Sequence, residues 1–273
     1  MTTKPIPQLE NNAAMKTFYF LLGNSLVASV TNFTVWFAIT FYVYLETRSV
    51  FATAIISGIY LVATAVSGFW FGSLVDHYRK KQVMLFSSFA SLISYLISFV
   101  IYISTSPEEF KNPASITLWI FVPILMVGVI AGNIRGIVLP VIITTLFPEN
   151  KRAKANGLSG SAFGVSFLIT SVISGFLVGL AGMYYVLILA IVLMLVIIIH
   201  LFAVSVPERE KASVNMSEDT SLKTNRKLGK IDIKGTMAIV SAIPGLFPLI
   251  LFTTFNNFLG GVFMALMDAY GLS

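Results

Sequence analysis

Long apolar runs broken by short polar punctuation dominate this chain. The stretch from Tyr184 to Phe202 contains no Asp, Glu, Lys or Arg. About 20 apolar residues in a row suffice to carry a helix across a bilayer. Membrane β-strands are shorter and alternate apolar with polar positions, which these runs do not. In lipid a helix satisfies its backbone polar groups within its own segment. The pattern therefore predicts seven spanning helices, over 17–44, 50–75, 82–104, 116–146, 156–180, 183–206 and 244–268.

The breaks between them are specific. Glu46-Thr47-Arg48, Asp76 to Lys81, Ser106-Pro107-Glu108-Glu109 and Pro148 to Arg152 separate successive spans, and Ala181-Gly182 makes a tight turn. The tract 207–234, rich in Lys, Glu, Asp, Ser, Thr and Asn, reads as a flexible linker. After it, Ile233, Met237 and Val240 share a helical face, which predicts a short interfacial helix. Pro244 and Pro248 lie near the start of the last span, where proline is best tolerated. The chain thus divides into an N-terminal segment 1–16, a six-helix bundle 17–206, the linker 207–234, and an interfacial segment with a seventh helix over 235–273. The expected fold class is an all-α polytopic membrane protein.

Composition agrees. Only 11% of residues are charged and 56% are hydrophobic. Soluble domains carry about 25% charged residues, so a water-soluble globule of this composition could not cover its surface. The first apolar run is too long for a signal-peptide core of about 7–15 residues. With no Cys there is no disulfide framework, thiolate metal site or cysteine nucleophile. Gly58, Gly68 and Gly72 fall inside apolar runs, not in a phosphate loop after a strand, and no Walker A pattern occurs. No enzyme activity, cofactor or metal is expected.

The net charge of +6 is explained by topology, not by a nucleic-acid partner. All Lys and Arg except Arg48, Lys111 and Arg135 fall on the side that holds the N-terminus. Basic residues accumulate on the cytoplasmic side of membrane proteins. The expectation is a multi-pass protein of the plasma membrane with a cytoplasmic N-terminus, its basic loops against the lipid bilayer. That orientation is opposite to a seven-helix receptor.

Three segments carry a family likeness. In Gly72-Ser73-Leu74-Val75-Asp76-His77-Tyr78-Arg79-Lys80-Lys81 a Gly is followed four residues later by an Asp and then by a basic run. This resembles the signature loop of the major facilitator superfamily. His77 stands where the family usually has Arg or Lys, and Arg79 where it usually has Gly. Phe147 to Gly157 is similar to the family's loop between helices four and five, and Phe255 to Gly261 resembles helix seven of its macrolide- and siderophore-exporter-like branch.

The resemblance implies a secondary transporter built from two six-helix halves, exporting small amphipathic molecules with ion (proton) coupling. Helices one, four and seven would line a central cavity. Gly72, Asp76, Arg79, Lys80 and Lys81 would form a conformational latch on the cytoplasmic side. In physical terms Gly72 permits close helix approach, and Asp76 can accept from a helix N-terminus or pair with an Arg. The competing reading is a basic anchor with Asp76 as a cap. Exporters of the family often carry a Gly-Pro signature in helix five, and no Pro occurs between 149 and 206. Because the chain stops at Ser273, just past helix seven, a second expectation is a truncated or split transporter that needs a C-terminal half as partner.

Arg135 lies inside the fourth span, where a charge costs about 2.5–3.5 kcal/mol on insertion scales. It either faces a wet, substrate-linked cavity or snorkels to the headgroups. Ser25, Ser29, Asn32 and Trp36 share one face of helix one. The cavity candidates are Asn32, Trp36, Asn133, Arg135, Asn256 and Asn257. For the Asn residues the alternative is interhelical hydrogen bonding, worth about 0.6 kcal/mol each. Gly157, Gly160, Gly164, Ser171, Gly175 and Gly179 form a small-residue stripe read as a packing face. His200 is read as a core or interface residue rather than a proton relay.

Overall fold

The computed structural model describes residues 11–206 and 240–272, with side chains over 13–206 and 240–261. The linker and the interfacial segment up to 239 lie outside the described residues. Among the described residues all regular structure is helical. The elements are α1 (Asn11–Thr47), α2 (Val50–His77), α3 (Lys80–Ser104), α4 (Pro107–Lys111), α5 (Ile116–Gly132), α6 (Arg135–Leu146), α7 (Glu149–Ala181), α8 (Met183–Ala203) and α9 (Leu246–Leu272).

Among the described residues six spans are long and apolar enough to cross a membrane, with Ile116–Leu146 counted as one; the apolar stretch Leu246–Gly261, in the expected seventh span, is shorter. Their ends follow local chemistry. Between α1 and α2, Arg48 takes a left-handed φ of 53°, and Ser49 caps α2 by accepting from the Ala52 N–H at 3.1 Å. Gly182 turns the chain from α7 into α8 at φ +58°, and a Cβ there would sit 2.6 Å from the Tyr102 hydroxyl.

Two expectations change. The fifth span starts at Glu149 rather than 156: Pro148 holds the extended N-cap position without a side-chain bond, and Glu149 suits the positive end of the helix dipole. The fourth span is two helices, α5 and α6, separated at Asn133 and Ile134.

Helix α1 is central, packing against α7, α8, α5, α2 and α6. One core cluster surrounds Val35, Tyr95, Leu125 and Leu187. A second, around Phe18, Leu21, Val138, Ile142 and Leu201, lies nearer the basic end. The short α4 drives Phe110 into the bundle, against Tyr42, Tyr102 and Phe121 at ring-centroid distances of 5.9, 5.5 and 5.3 Å. Large apolar side chains such as Phe51, Phe86, Leu168, Val172 and Ile199 cover the outside. That surface suits lipid and not water.

The small-residue stripe of α7 does not pack inside the described bundle. A Cβ at Gly157, Gly160, Gly164 or Gly179 would meet nothing within 4 Å, and one at Gly175 would meet only Phe41. The buried face of α7 is instead Ser159, Ser166, Thr170 and Ser174. Their hydroxyls donate to carbonyls of the preceding turn, which lets a polar face enter the core, and Ser174 also reaches the Thr34 carbonyl at 2.9 Å. Helix α9 packs along α2 and α1, with most of its described side chains exposed.

Candidate functional site

The site grows from the break in the fourth span. Asn133 N–H donates to the Ile130 carbonyl at 3.0 Å, and Ile134 N–H to Ala131 at 3.4 Å. These i to i−3 bonds tighten the chain into a 3₁₀-like turn. Beyond it, Pro140 cannot donate to the Gly136 carbonyl, which loosens the start of α6. Asn32 of α1 sits against the α5 side of the break, donating to the Val129 carbonyl and accepting from the Tyr95 hydroxyl, both at 3.2 Å.

Arg135 leaves the turn inward. It is 3% exposed. Nη1 donates to Asn24 Oδ1 at 2.7 Å and Nη2 to the Ser88 hydroxyl. Asn24 in turn donates to the Ile197 carbonyl at 3.0 Å and meets His200 Nδ1 at 3.2 Å. One polar network therefore joins α1, α3, α6 and α8. Among the described residues no carboxylate pairs with Arg135; its hydrogen bonds go to a neutral amide and a hydroxyl. The guanidinium is bound within the bundle and does not snorkel.

Asn133 leaves the same turn in another direction and donates to the Tyr60 hydroxyl at 3.1 Å. The Tyr60 ring stacks on Trp36, with centroids 3.8 Å apart and planes 23° apart. All three side chains are partly exposed. Together they make an aromatic and amide patch on α1, α2 and the break.

The loop between α2 and α3 is tied to α8. Lys81 Nζ donates to the carbonyls of Phe202 at 3.0 Å and Val204 at 2.8 Å, and Lys80 Nζ donates to the Val75 carbonyl. His77 Nδ1 lies 2.8 Å from the Ser73 carbonyl. Asp76 and Arg79 are exposed, and a Cβ at Gly72 would meet nothing within 4 Å. Asp76 caps no helix among the described residues: the residue at the N-cap of α3 is Arg79.

The family model of the Major Facilitator Superfamily matches residues 21–273. The chain belongs to that superfamily. It is accordingly a multi-pass membrane protein of a transporter family. No curated protein and no solved structure matches it.

Within this superfamily member the sequence candidates separate. Asn32 is buried and bonded to the Val129 carbonyl and the Tyr95 hydroxyl. Arg135 anchors the buried network. Trp36 and Asn133 meet at the patch, while Asn256 and Asn257 are exposed on α9 and bond to none of the others. Ser25 is fully buried, with no hydrogen-bond partner among the described residues. Sequence reasoning missed Asn24, Ser88, Tyr60 and Tyr95. Its available signal for Ser88 was the run Ser87, Ser88, Ser91, Ser94 and Ser98, all buried on one side of α3. Two adjoining grooves open between α1 and α8. One of about 260 Å³ is lined by Tyr19, Gly23, Asn24, Ile197 and His200. The other, of about 330 Å³, is lined by Lys16, Thr17, His200 and Ser205.

Proposed function

We propose that this chain acts in secondary active export of small amphipathic molecules, coupled to a proton gradient, in the plasma membrane with its N-terminus in the cytoplasm. One arrangement carries the reading: the break at Asn133 and Ile134 sends Asn133 to Tyr60 beside Trp36, and Arg135 to Asn24 and Ser88. The aromatic stack and amide suit a substrate with a flat apolar face and a hydrogen-bonding group. The buried cation, bonded to a neutral amide and a hydroxyl, responds to any change in the charge or hydrogen bonding around it. In the same reading the Lys81 tie from α3 to the end of α8 holds the basic side closed, and Gly72, Asp76, Arg79 and Lys80 complete the latch. The concentration of Lys and Arg at that end supports a cytoplasmic placement.

The test is accumulation of a cationic amphipathic dye in an efflux-sensitised host expressing the full chain, with an intact full-length relative as positive control. Lowered accumulation, restored by a protonophore and by Arg135→Met, is the expected result. Unchanged accumulation while the control exports would overturn the reading.

A further inference from the structure

His200 lines both grooves between α1 and α8 and touches the Asn24 amide. The orientation of that amide is dictated by its other partners. Arg135 can only donate, so Asn24 must turn its oxygen toward it. The Ile197 carbonyl can only accept, so the Asn24 nitrogen must face it. The same nitrogen then points an N–H at His200 Nδ1, 3.2 Å away. Nδ1 accepts, and the neutral ring keeps its hydrogen on Nε2.

A protonated imidazole carries hydrogen on both nitrogens. Nδ1–H would then confront an amide N–H, donor against donor. Turning the amide to present its oxygen would take the acceptor from Arg135 and set oxygen against the Ile197 carbonyl. We infer that His200 is a proton-binding site whose occupancy opposes the Arg135–Asn24 hydrogen bond. The proton enters along the groove rimmed by Lys16, Thr17 and Ser205, binds Nδ1, and loosens the guanidinium from α1.

The charged groups on the helices packed against α8 are mostly cations. Helix α1 contributes Lys16 and Tyr19, α3 contributes Lys81 at the end of α8, and α6 contributes Arg135 behind Asn24. On α7, Arg152 is bound to the Thr144 and Phe147 carbonyls, while Glu149, Lys151 and Lys154 are exposed. The transport role of this coupling rests on the proton-coupled reading above; the coupling itself does not.

The experiment is ¹⁵N-imidazole spectroscopy of the full chain in lipid nanodiscs, with His77→Gln leaving His200 as the only histidine. The expected neutral form carries hydrogen on Nε2. Arg135→Met should free the Asn24 amide to turn, so that rings with hydrogen on Nδ1 appear beside those with hydrogen on Nε2. In an Asn24→Ala background the same substitution should have a much smaller effect. A neutral ring with hydrogen on Nδ1 overturns the inference without any change to Arg135 or Asn24. So does an Arg135→Met effect that is absent, or equal with and without Asn24. No transport is measured, so a failed export assay leaves this result standing. Proton-driven export without the coupling removes this inference alone.

Discussion

A Cβ at position 132 would lie 1.8 Å from Nδ2 of Asn32, so Gly132 and Asn32 occupy one space between α5 and α1. The Asn32 amide fills the room that glycine leaves and binds the Val129 carbonyl and the Tyr95 hydroxyl. Small residues at such crossings let a polar side chain reach a neighbouring backbone.

Gly132→Ala should therefore destabilise the bundle by about 1–3 kcal/mol, as overpacking does. Adding Asn32→Ala should recover part of that loss. Tyr95→Phe, which removes one bond to Asn32, should cost only about 0.6 kcal/mol. Thermal melting in detergent measures all three, and equal stability of Gly132→Ala and the parent would contradict the contact.

The buried network predicts an order of stabilities. Asn24→Ala strips the guanidinium of an acceptor and leaves a buried charge underbonded, the expensive kind of loss. Arg135→Met removes the charge itself and leaves only neutral groups unpaired, at about 1–3 kcal/mol. The smaller truncation, at Asn24, should lower the melting temperature more. The double variant should fall short of the sum, since the two residues share one bond.

At the patch, Trp36→Ala removes the stack on Tyr60 while Tyr60→Phe removes only the bond to Asn133. Ring stacking is worth about 0.5–1.5 kcal/mol. Trp36→Ala should weaken export of an aromatic dye several-fold, and Tyr60→Phe much less. Concentration dependence of dye efflux separates the two; the opposite ranking would remove the patch from the substrate path.

Because the chain has no Cys, single cysteines can be placed without altering a background. Gln82→Cys and Asn150→Cys should react with a membrane-impermeant maleimide from the same side, and Asn112→Cys only from the other. Labelling of positions 82 and 112 from one side would break the expected topology.

Outside the spans, the carboxylate of Glu108 accepts from Lys111 Nζ at 2.7 Å and holds that ammonium above the ordinary lysine value. A base raised on folding stabilises the fold below its unfolded value and loses that contribution as pH climbs through the folded one. Any effect of the pair is thus confined to alkaline pH. Glu108→Gln should bring the Lys111 midpoint down, seen by ¹³C spectroscopy of the dimethylated chain. The melting temperature at neutral pH should barely move, because both side chains are exposed.

How far the sequence could be read follows from what each feature depends on. Arg135 stood out because one charge interrupts an apolar run. Its partners Asn24 and Ser88 did not, since short polar residues are common in spans and these two lie 111 and 47 positions away. The helix break was equally hidden: Gly132, Asn133 and Pro140 are tolerated in unbroken membrane helices, and Asn32 approaches from another one. The α7 stripe marks a possible contact without saying which neighbour fills it, and among the described residues only Phe41 approaches it, at Gly175.

From sequence alone came the number of membrane-crossing segments in the bundle, the sorting of basic residues to one end, and one intramembrane charge. Transfer into lipid is a nearly additive property of about 20 consecutive residues, so no distant part of the chain is needed to read it. Tertiary structure alone decided that Arg135 turns inward to Asn24 and Ser88 while Asn133 turns to Tyr60. A hydrogen bond depends on distance and angle between groups on different helices, and only packing about α1 brings those groups together.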